Sequence, residues 1–246
     1  MSSVLRRPCA WLSFAGCTLA ALCVFLPLVS GCTPVVQQTA SDSSPSPIGR
    51  EPYDYALLVA VDKSGSFVSL MRPGGKGLEF LNDTITHYFH GRLGNNDCLI
   101  VTQLSGNRQA LLWQGSPRQM RNEFSNSAEF SEFIEKKSDA AGSRIWDGIS
   151  DTLELAMSDP NLWNGRTKLV LACLTDMENN LVDSYTAEKR LMDNLKAFAK
   201  KGGVVGLYFV GTAETTLWRK KLSECGFRDF VVEPSIASTP RRLSFE

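Results

Sequence analysis

Residues 55–66 read YALLVAVDKSGS, an unbroken apolar run that ends in a polar turn. An apolar run without polar alternation is typical of a strand that is buried on both faces of a parallel sheet. The turn that follows offers one carboxylate and two hydroxyls, from Asp62, Ser64 and Ser66. The stretch therefore predicts a central strand at Tyr55–Val61 with a cluster of oxygen atoms at its carboxyl end.

Strands and helices alternate along the rest of the chain. A second buried strand, Lys168–Leu174, is also followed by an acid, Asp176, and a third strand is predicted at Val204–Val210. The remaining predicted elements are strands over 98–104, 109–113 and 230–232 and helices over 77–89, 127–137, 145–157, 187–200 and 214–225. This order predicts an α/β fold, a Rossmann-like open and mostly parallel sheet with one antiparallel edge strand and helices on both faces.

Asp62 and Asp176 both follow strands of this predicted sheet. Ligands of such sheets bind at the carboxyl ends of the strands, so we expect the two acids to lie close together. Carboxylate and hydroxyl oxygens suit Mg²⁺ or Mn²⁺. Gly65 is expected to let the turn fold back so that both of its serines face one point. Any polar loop also contains Asp, Ser and Gly, so the turn alone does not identify a metal site.

Three segments together resemble the metal-ion-dependent adhesion site of von Willebrand factor type A (VWA) domains. The turn at Asp62 is similar to the first segment, and Leu174-Thr175-Asp176 is similar to the third. The second segment matches Gly142–Ile149, with Ser143 where the family has threonine. The segments come in the family's order, and the resemblance covers about residues 53–233, which implies a VWA fold.

The resemblance implies a role for each donor. Ser64 and Ser66 would ligate the ion directly, Asp62 and Asp176 would act directly or through water, and Ser143 would contact the ion in one of two states. An Mg²⁺ or Mn²⁺ ion with few protein charges on it stays electrophilic and can accept an Asp or Glu carboxylate from a protein partner. This implies metal-dependent binding and no enzymatic turnover.

Two departures from the family pattern leave a second hypothesis open. Ser143 lacks the threonine methyl that helps to fix the rotamer, so metal affinity is expected to be lower. Met177 and Glu178 stand where the family commonly has glycine and a polar residue, and with Trp146 they are the candidate rim for a partner. The alternative is a structural subunit of an envelope assembly whose metal site is vestigial.

The amino-terminal segment predicts export. Arg6 and Arg7 precede an uncharged run over 9–31, which is typical of a signal peptide. The sequence at 29–32, Val-Ser-Gly-Cys, resembles the lipobox of bacterial lipoproteins and implies lipidation of Cys32. An uncleaved membrane anchor and cleavage without lipid are the alternatives, because the run is long enough to span a bilayer.

The predicted organisation is a lipoprotein signal peptide over 1–31, a flexible tether over 32–52, a VWA domain over 53–236 and a tail over 237–246. The chain would lie in the cell envelope, anchored to the outer membrane if the cell is Gram-negative, since Thr33 replaces the aspartate that retains many lipoproteins in the inner membrane. The 26 basic and 26 acidic residues cancel, which argues against nucleic-acid binding.

Three further patterns have ordinary explanations. Ser64-Gly65-Ser66 is not the nucleophile turn of a hydrolase, because the signature GxSxG is absent from the sequence. The glycines around Lys76 lack the spacing of a phosphate-binding loop. Lys196, Lys200 and Lys201 cluster at a predicted helix end, where they favour the helix dipole and solvent. A membrane contact is the weaker interpretation of these lysines.

Overall fold

The computed structural model describes residues 51–65, 67–90, 96–106, 110–139, 142, 144–178, 184–235, 237 and 240–243. Its strands are β1 (Tyr55–Val61), β2 (Asp97–Gln103), β3 (Leu111–Gly115), β4 (Lys168–Leu174), β5 (Val204–Val210) and β6 (Phe230–Pro234). Its helices are α1 (Lys76–Phe89), α2 (Pro117–Glu123), α3 (Ser127–Lys137), α4 (Ile145–Ser158), α5 (Ser184–Lys200) and α6 (Thr212–Glu224).

The six strands form one sheet in the order β3-β2-β1-β4-β5-β6. All neighbouring pairs are parallel except β2 and β3, which are antiparallel and place β3 at an edge. The predicted fold class is therefore confirmed. The chain order reverses direction between β1 and β4, which makes their carboxyl ends the switch point of the sheet.

Both faces of β1 are covered, which explains its unbroken apolar run. Leu58 and Ala60 pack with α4, α5 and α6, whereas Leu57 and Val59 pack with α1 and α3 on the other face. Successive side chains of a strand point to opposite faces, so a strand with a core on each side needs an apolar residue at every position.

The predicted bounds hold within a few residues for every element except α2, which was not predicted. Its start is well marked in the structure, because Ser116 and Gln119 form a reciprocal capping box and Pro117 occupies the first helical position. Only Pro117 and Met120 of this helix are buried, so its sequence shows little apolar periodicity.

Residues 240–243 belong to the folded domain and not to a separate tail as predicted. Leu243 is buried, and its backbone N–H donates to the hydroxyl of Tyr208 at 3.1 Å. Arg242 forms an ion pair with Asp83 of α1 at 2.9 Å. The predicted signal peptide, the tether up to residue 50 and Cys32 lie outside the described residues. Within the described part of the chain, no helix is long and apolar enough to cross a membrane.

Candidate metal centre

Asp62 lies at the end of β1 with its side chain wholly buried. Val61 pairs with Leu174 in the sheet, and the Asp62 backbone N–H donates to the Leu174 carbonyl at 2.9 Å, so the register of β1 and β4 fixes where Asp62 stands. One carboxylate oxygen accepts the backbone N–H of Ser64 at 2.7 Å. The turn thus holds the carboxylate against its own backbone, in the manner of an Asx turn.

The hydroxyl of Thr175 joins the two strand ends. It donates to the second carboxylate oxygen of Asp62 at 3.1 Å and accepts the backbone N–H of Met177 at 3.0 Å. Thr175 is itself fully buried, and its backbone N–H donates to the Tyr208 carbonyl of β5. One side chain therefore orients Asp62 and the loop that carries Asp176.

Burial raises the pKa of the Asp62 carboxyl above its ordinary value. Hydrogen bonds from Ser64 and Thr175 oppose this rise, and the nearby charge of Asp176 adds to it. Among the described residues, no ion pair includes Asp62. A buried carboxylate near a second acid is costly in its charged form, and a cation held by these residues would reduce that cost.

Ser64 is a buried polar residue next to Asp62 in the turn that follows β1. The residue is 3% exposed, and its buried hydroxyl oxygen meets no described atom at full hydrogen-bond geometry, although it interacts with the Asp62 carboxyl. A buried hydroxyl normally finds a partner, because leaving it without one costs about 1–3 kcal/mol. An oxygen-binding cation is a partner that fits this atom and the neighbouring Asp62 carboxylate.

Asp176 is partly buried and is held by its own loop. Its side chain accepts the Glu178 backbone N–H at 3.0 Å, and its carbonyl accepts the Gly211 N–H at 2.9 Å. Met177, which follows it, has a φ of +65°, in the left-handed region that favours glycine. Backbone strain of this kind is commonly stored at functional sites.

Gly65 does not have the role that the sequence suggested. Its φ is not in the left-handed region, and a Cβ built on it would meet nothing within 4 Å. The turn does not depend on glycine at this position.

The structure excludes one member of the predicted rim, Met177. Met177 is 1% exposed and packs in the core, so its side chain cannot contact a partner. Trp146 is partly buried and contacts α6, with its ring 6.5 Å from Trp218 and beneath the Lys221 ammonium at 5.2 Å. Glu178 alone of the three is exposed.

Ser66 and Ser143 lie outside the described residues, so the structure brings together three of the five predicted donors: Asp62, Ser64 and Asp176. Within the described residues, no group of three or more His, Cys, Asp or Glu side chains could hold a metal. The predicted set contains only two carboxylates and depends on hydroxyls for its remaining donors.

Two structural neighbours of the Asp62 turn were not predicted from the sequence. Ser105 accepts the backbone N–H of Lys63 at 3.0 Å and donates to the Asp139 carbonyl, which ties the β2 end to the turn. Lys63 is buried, and burial lowers its pKa while the charge of Glu135 opposes the shift. Only the Ser105-Gly106 turn signal after β2 could have indicated the first contact.

A Thr175→Val variant should lose about 1–3 kcal/mol of unfolding free energy, because the change leaves the Met177 N–H and one Asp62 oxygen without partners. Chemical denaturation at neutral pH measures the loss. Thr216→Val, an exposed change on α6, is the control and should have little effect. Equal stability of the two variants would contradict the bridging role of Thr175.

No protein-family model and no curated protein matches the chain. Similar solved structures include the SpRpn10 VWA domain, with 13% identity and a TM-score of 0.49 over 76% of this chain and 90% of that one. The TFIIH p34 N-terminal domain has 11% identity and a TM-score of 0.46 over 73% and 90% of the two chains. The pilus adhesin SpaC from Lactobacillus rhamnosus GG, in its open conformation, has 12% identity and a TM-score of 0.49.

The similarity to SpaC covers 75% of this chain and 28% of the adhesin. At these identities the comparisons concern the fold alone, and the fold assignment rests on the strand order and register described above. The chain is an α/β protein with a six-stranded Rossmann-like sheet whose switch point brings Asp62, Ser64 and Asp176 together.

Proposed function

We propose that the chain is a lipid-anchored protein of the cell envelope whose VWA domain binds a protein partner through a divalent cation, Mg²⁺ or Mn²⁺. The observation that carries this proposal is the buried hydroxyl of Ser64, which interacts with the buried Asp62 carboxyl but meets no described atom at full hydrogen-bond geometry. Hydroxyls and carboxylates at the switch point are the donors that these cations prefer.

The chain's own residues would orient the ligands of the cation site before an ion binds. Thr175 and the Ser64 backbone each occupy one oxygen of Asp62, which fixes the orientation of the carboxylate. Asp176 contributes a second negative charge nearby. When bound, the cation would supply an electrophilic centre that accepts a carboxylate oxygen.

The proposed partner offers an Asp or Glu side chain to this centre. Ser66 and Ser143 complete the proposed donor set, as the resemblance to VWA domains implies, and the exposed Glu178 lies next to it. The proposed envelope location rests on the lipobox-like sequence ending at Cys32. We propose a binding role and not an enzymatic one, because a nucleophile, a base and an orienting group are not found together in the sequence.

Ser64→Ala should weaken Mg²⁺ or Mn²⁺ binding by more than about tenfold, since it removes a direct ligand. Calorimetric titration of the full chain in mild detergent measures the affinity. Ser150→Ala is the matched control, because the Ser150 hydroxyl is also buried without a hydrogen-bond partner and lies on α4. Both variants should fold, since neither change leaves a hydrogen-bonding group unpaired.

The alternative, a structural subunit with a vestigial metal site, makes the opposite prediction. In that case the wild type and both serine variants give no heat with either cation, and partner capture from envelope extract is unchanged by a chelator. Capture that requires the cation and is lost in Ser64→Ala supports the proposed function.

A further inference from the structure

The end of the sheet opposite the candidate metal centre, where the parallel strands begin, carries a group of exposed cationic side chains. We name it the basal patch, and it consists of Lys196, Lys200, Lys201 and Arg228. The end of α5, the start of β5 and the turn after α6 line one cleft and bring these side chains together. The patch therefore gathers charges from two helix ends that are separate in the sequence.

No acid among the described residues forms an ion pair with this patch. Asp229 is the acid that lines the same cleft, and it already forms an ion pair with Arg241 at 3.6 Å. None of the ion pairs formed among the described residues includes a member of the basal patch. The cations thus keep their charge available to an outside anion.

Helix stability does not account for the patch. Lys196 and Lys200 are four residues apart on α5, where two like charges repel each other. The α5 dipole favours Lys200 in the last turn, but Lys201 lies beyond the helix and Arg228 follows a different helix. Contact with an anionic surface outside the protein would account for all four cationic residues.

The aromatic side chain of Trp163 lies beside the patch, on a loop that also contacts Tyr53. Lys201 stands 5.3 Å from the ring centre of Trp163, which is partly buried. The loop that carries Trp163 holds the first described residues, because the Tyr53 N–H donates to the Asn161 carbonyl and the Thr167 hydroxyl donates to the Tyr53 carbonyl. Tyr53, near the start of the described chain, is therefore held at this end of the sheet.

We propose that the basal patch contacts the anionic phospholipid headgroups of a membrane. Lysine and arginine near an anionic surface are attracted to its phosphates within a Debye length, and tryptophan is favoured at the membrane–water interface. The four central strands of this sheet have seven residues each and span about 23 Å, from about 3.3 Å per residue. A contact through the basal patch would direct Asp62 and Ser64 away from the membrane, towards a soluble partner.

The test uses the full chain reconstituted in vesicles of phosphatidylcholine, with and without phosphatidylglycerol. Hydrogen exchange of residues 196–203 and 225–229 should be slower in the anionic vesicles, and high salt should remove the difference. Each lysine near an anionic surface changes the contact equilibrium about fivefold, so Lys196→Gln with Lys200→Gln and Lys201→Gln should reduce it by about two orders of magnitude.

The control variant carries the same change in charge elsewhere, as Lys136→Gln with Lys189→Gln and Lys220→Gln. These lysines are exposed and lie in ion pairs outside the patch, so the control should keep the slow exchange. Equal exchange in both kinds of vesicle would overturn the proposal. Slow exchange caused by soluble glycerol phosphate without vesicles would also overturn it, because it would assign the patch to a free phosphate.

Discussion

An Asp62→Asn variant should unfold at a higher temperature than the wild type at neutral pH without divalent cations, and Mg²⁺ should not raise that temperature further. Asparagine has the shape of aspartate and can still accept the Ser64 N–H. The change removes a buried negative charge that no described cation balances. The Asp62→Asn change should therefore raise the stability of the metal-free protein and abolish metal binding.

The direction of the pH effect follows from the raised pKa of Asp62. In the folded chain this carboxyl holds its proton to higher pH than in the unfolded chain, where the ordinary value is 3.8. The folded state thus binds more protons in the interval between the two pKa values, and stability falls as pH rises through that interval. Above the folded-state pKa the full cost is present in the wild type and absent in Asp62→Asn.

Thermal melts with and without Mg²⁺ measure both effects. A cation at about one hundred times its dissociation constant stabilises the wild type by about 2.7 kcal/mol, and we expect no such gain in Asp62→Asn. Asp193→Asn is the control, because it removes an exposed carboxylate on α5. A less stable Asp62→Asn protein, or one that Mg²⁺ still stabilises, would contradict the proposed centre.

A Gly148→Ala variant should lose about 2 kcal/mol of unfolding free energy. A Cβ at this position of α4 would lie 2.6 Å from the Leu104 Cα and 2.8 Å from the Leu104 carbonyl oxygen. Backbone atoms cannot rotate away, so α4 must move from the end of β2 at a cost of about 3 kcal/mol. The better helix propensity of alanine returns about 1 kcal/mol.

The shift of α4 should also weaken metal binding, because Ser143 lies just before the first residues of that helix. Denaturant unfolding and calorimetric titration measure the two effects. Gly65→Ala is the control for stability, since its Cβ would meet nothing within 4 Å. If Gly148→Ala were as stable as Gly65→Ala, the close approach of α4 to β2 would not be a real constraint on the fold.

The strands were predictable because the sheet is buried on both faces. β1, β4 and β5 are apolar at nearly every position, and this marks their bounds without help from tertiary contacts. The nearness of the Asp176 charge to Asp62 was expected from the same pattern, since the carboxyl ends of parallel neighbours meet at one end of the sheet. These inferences needed only local composition and general topology.

The remaining features depend on contacts between distant segments. The sequence around Leu243 is polar and gives no sign that the Leu243 N–H donates to the Tyr208 hydroxyl. Thr175 was quoted only as part of a motif, and its bonds to Asp62 and Met177 require the sheet register. The burial of Met177 could not be predicted because its left-handed backbone directs the side chain into the core.

The switch point also determines when the donors can meet during folding. The hydrogen bond from Thr175 to Asp62 joins residues 113 positions apart, and β1 pairs with β4 across the same interval. Contacts of such long range require a large loop to close before they gain any energy. A chain arrested before β4 would carry the Asp62 turn but no Asp176. Cation binding would then distinguish completed molecules from unfinished ones.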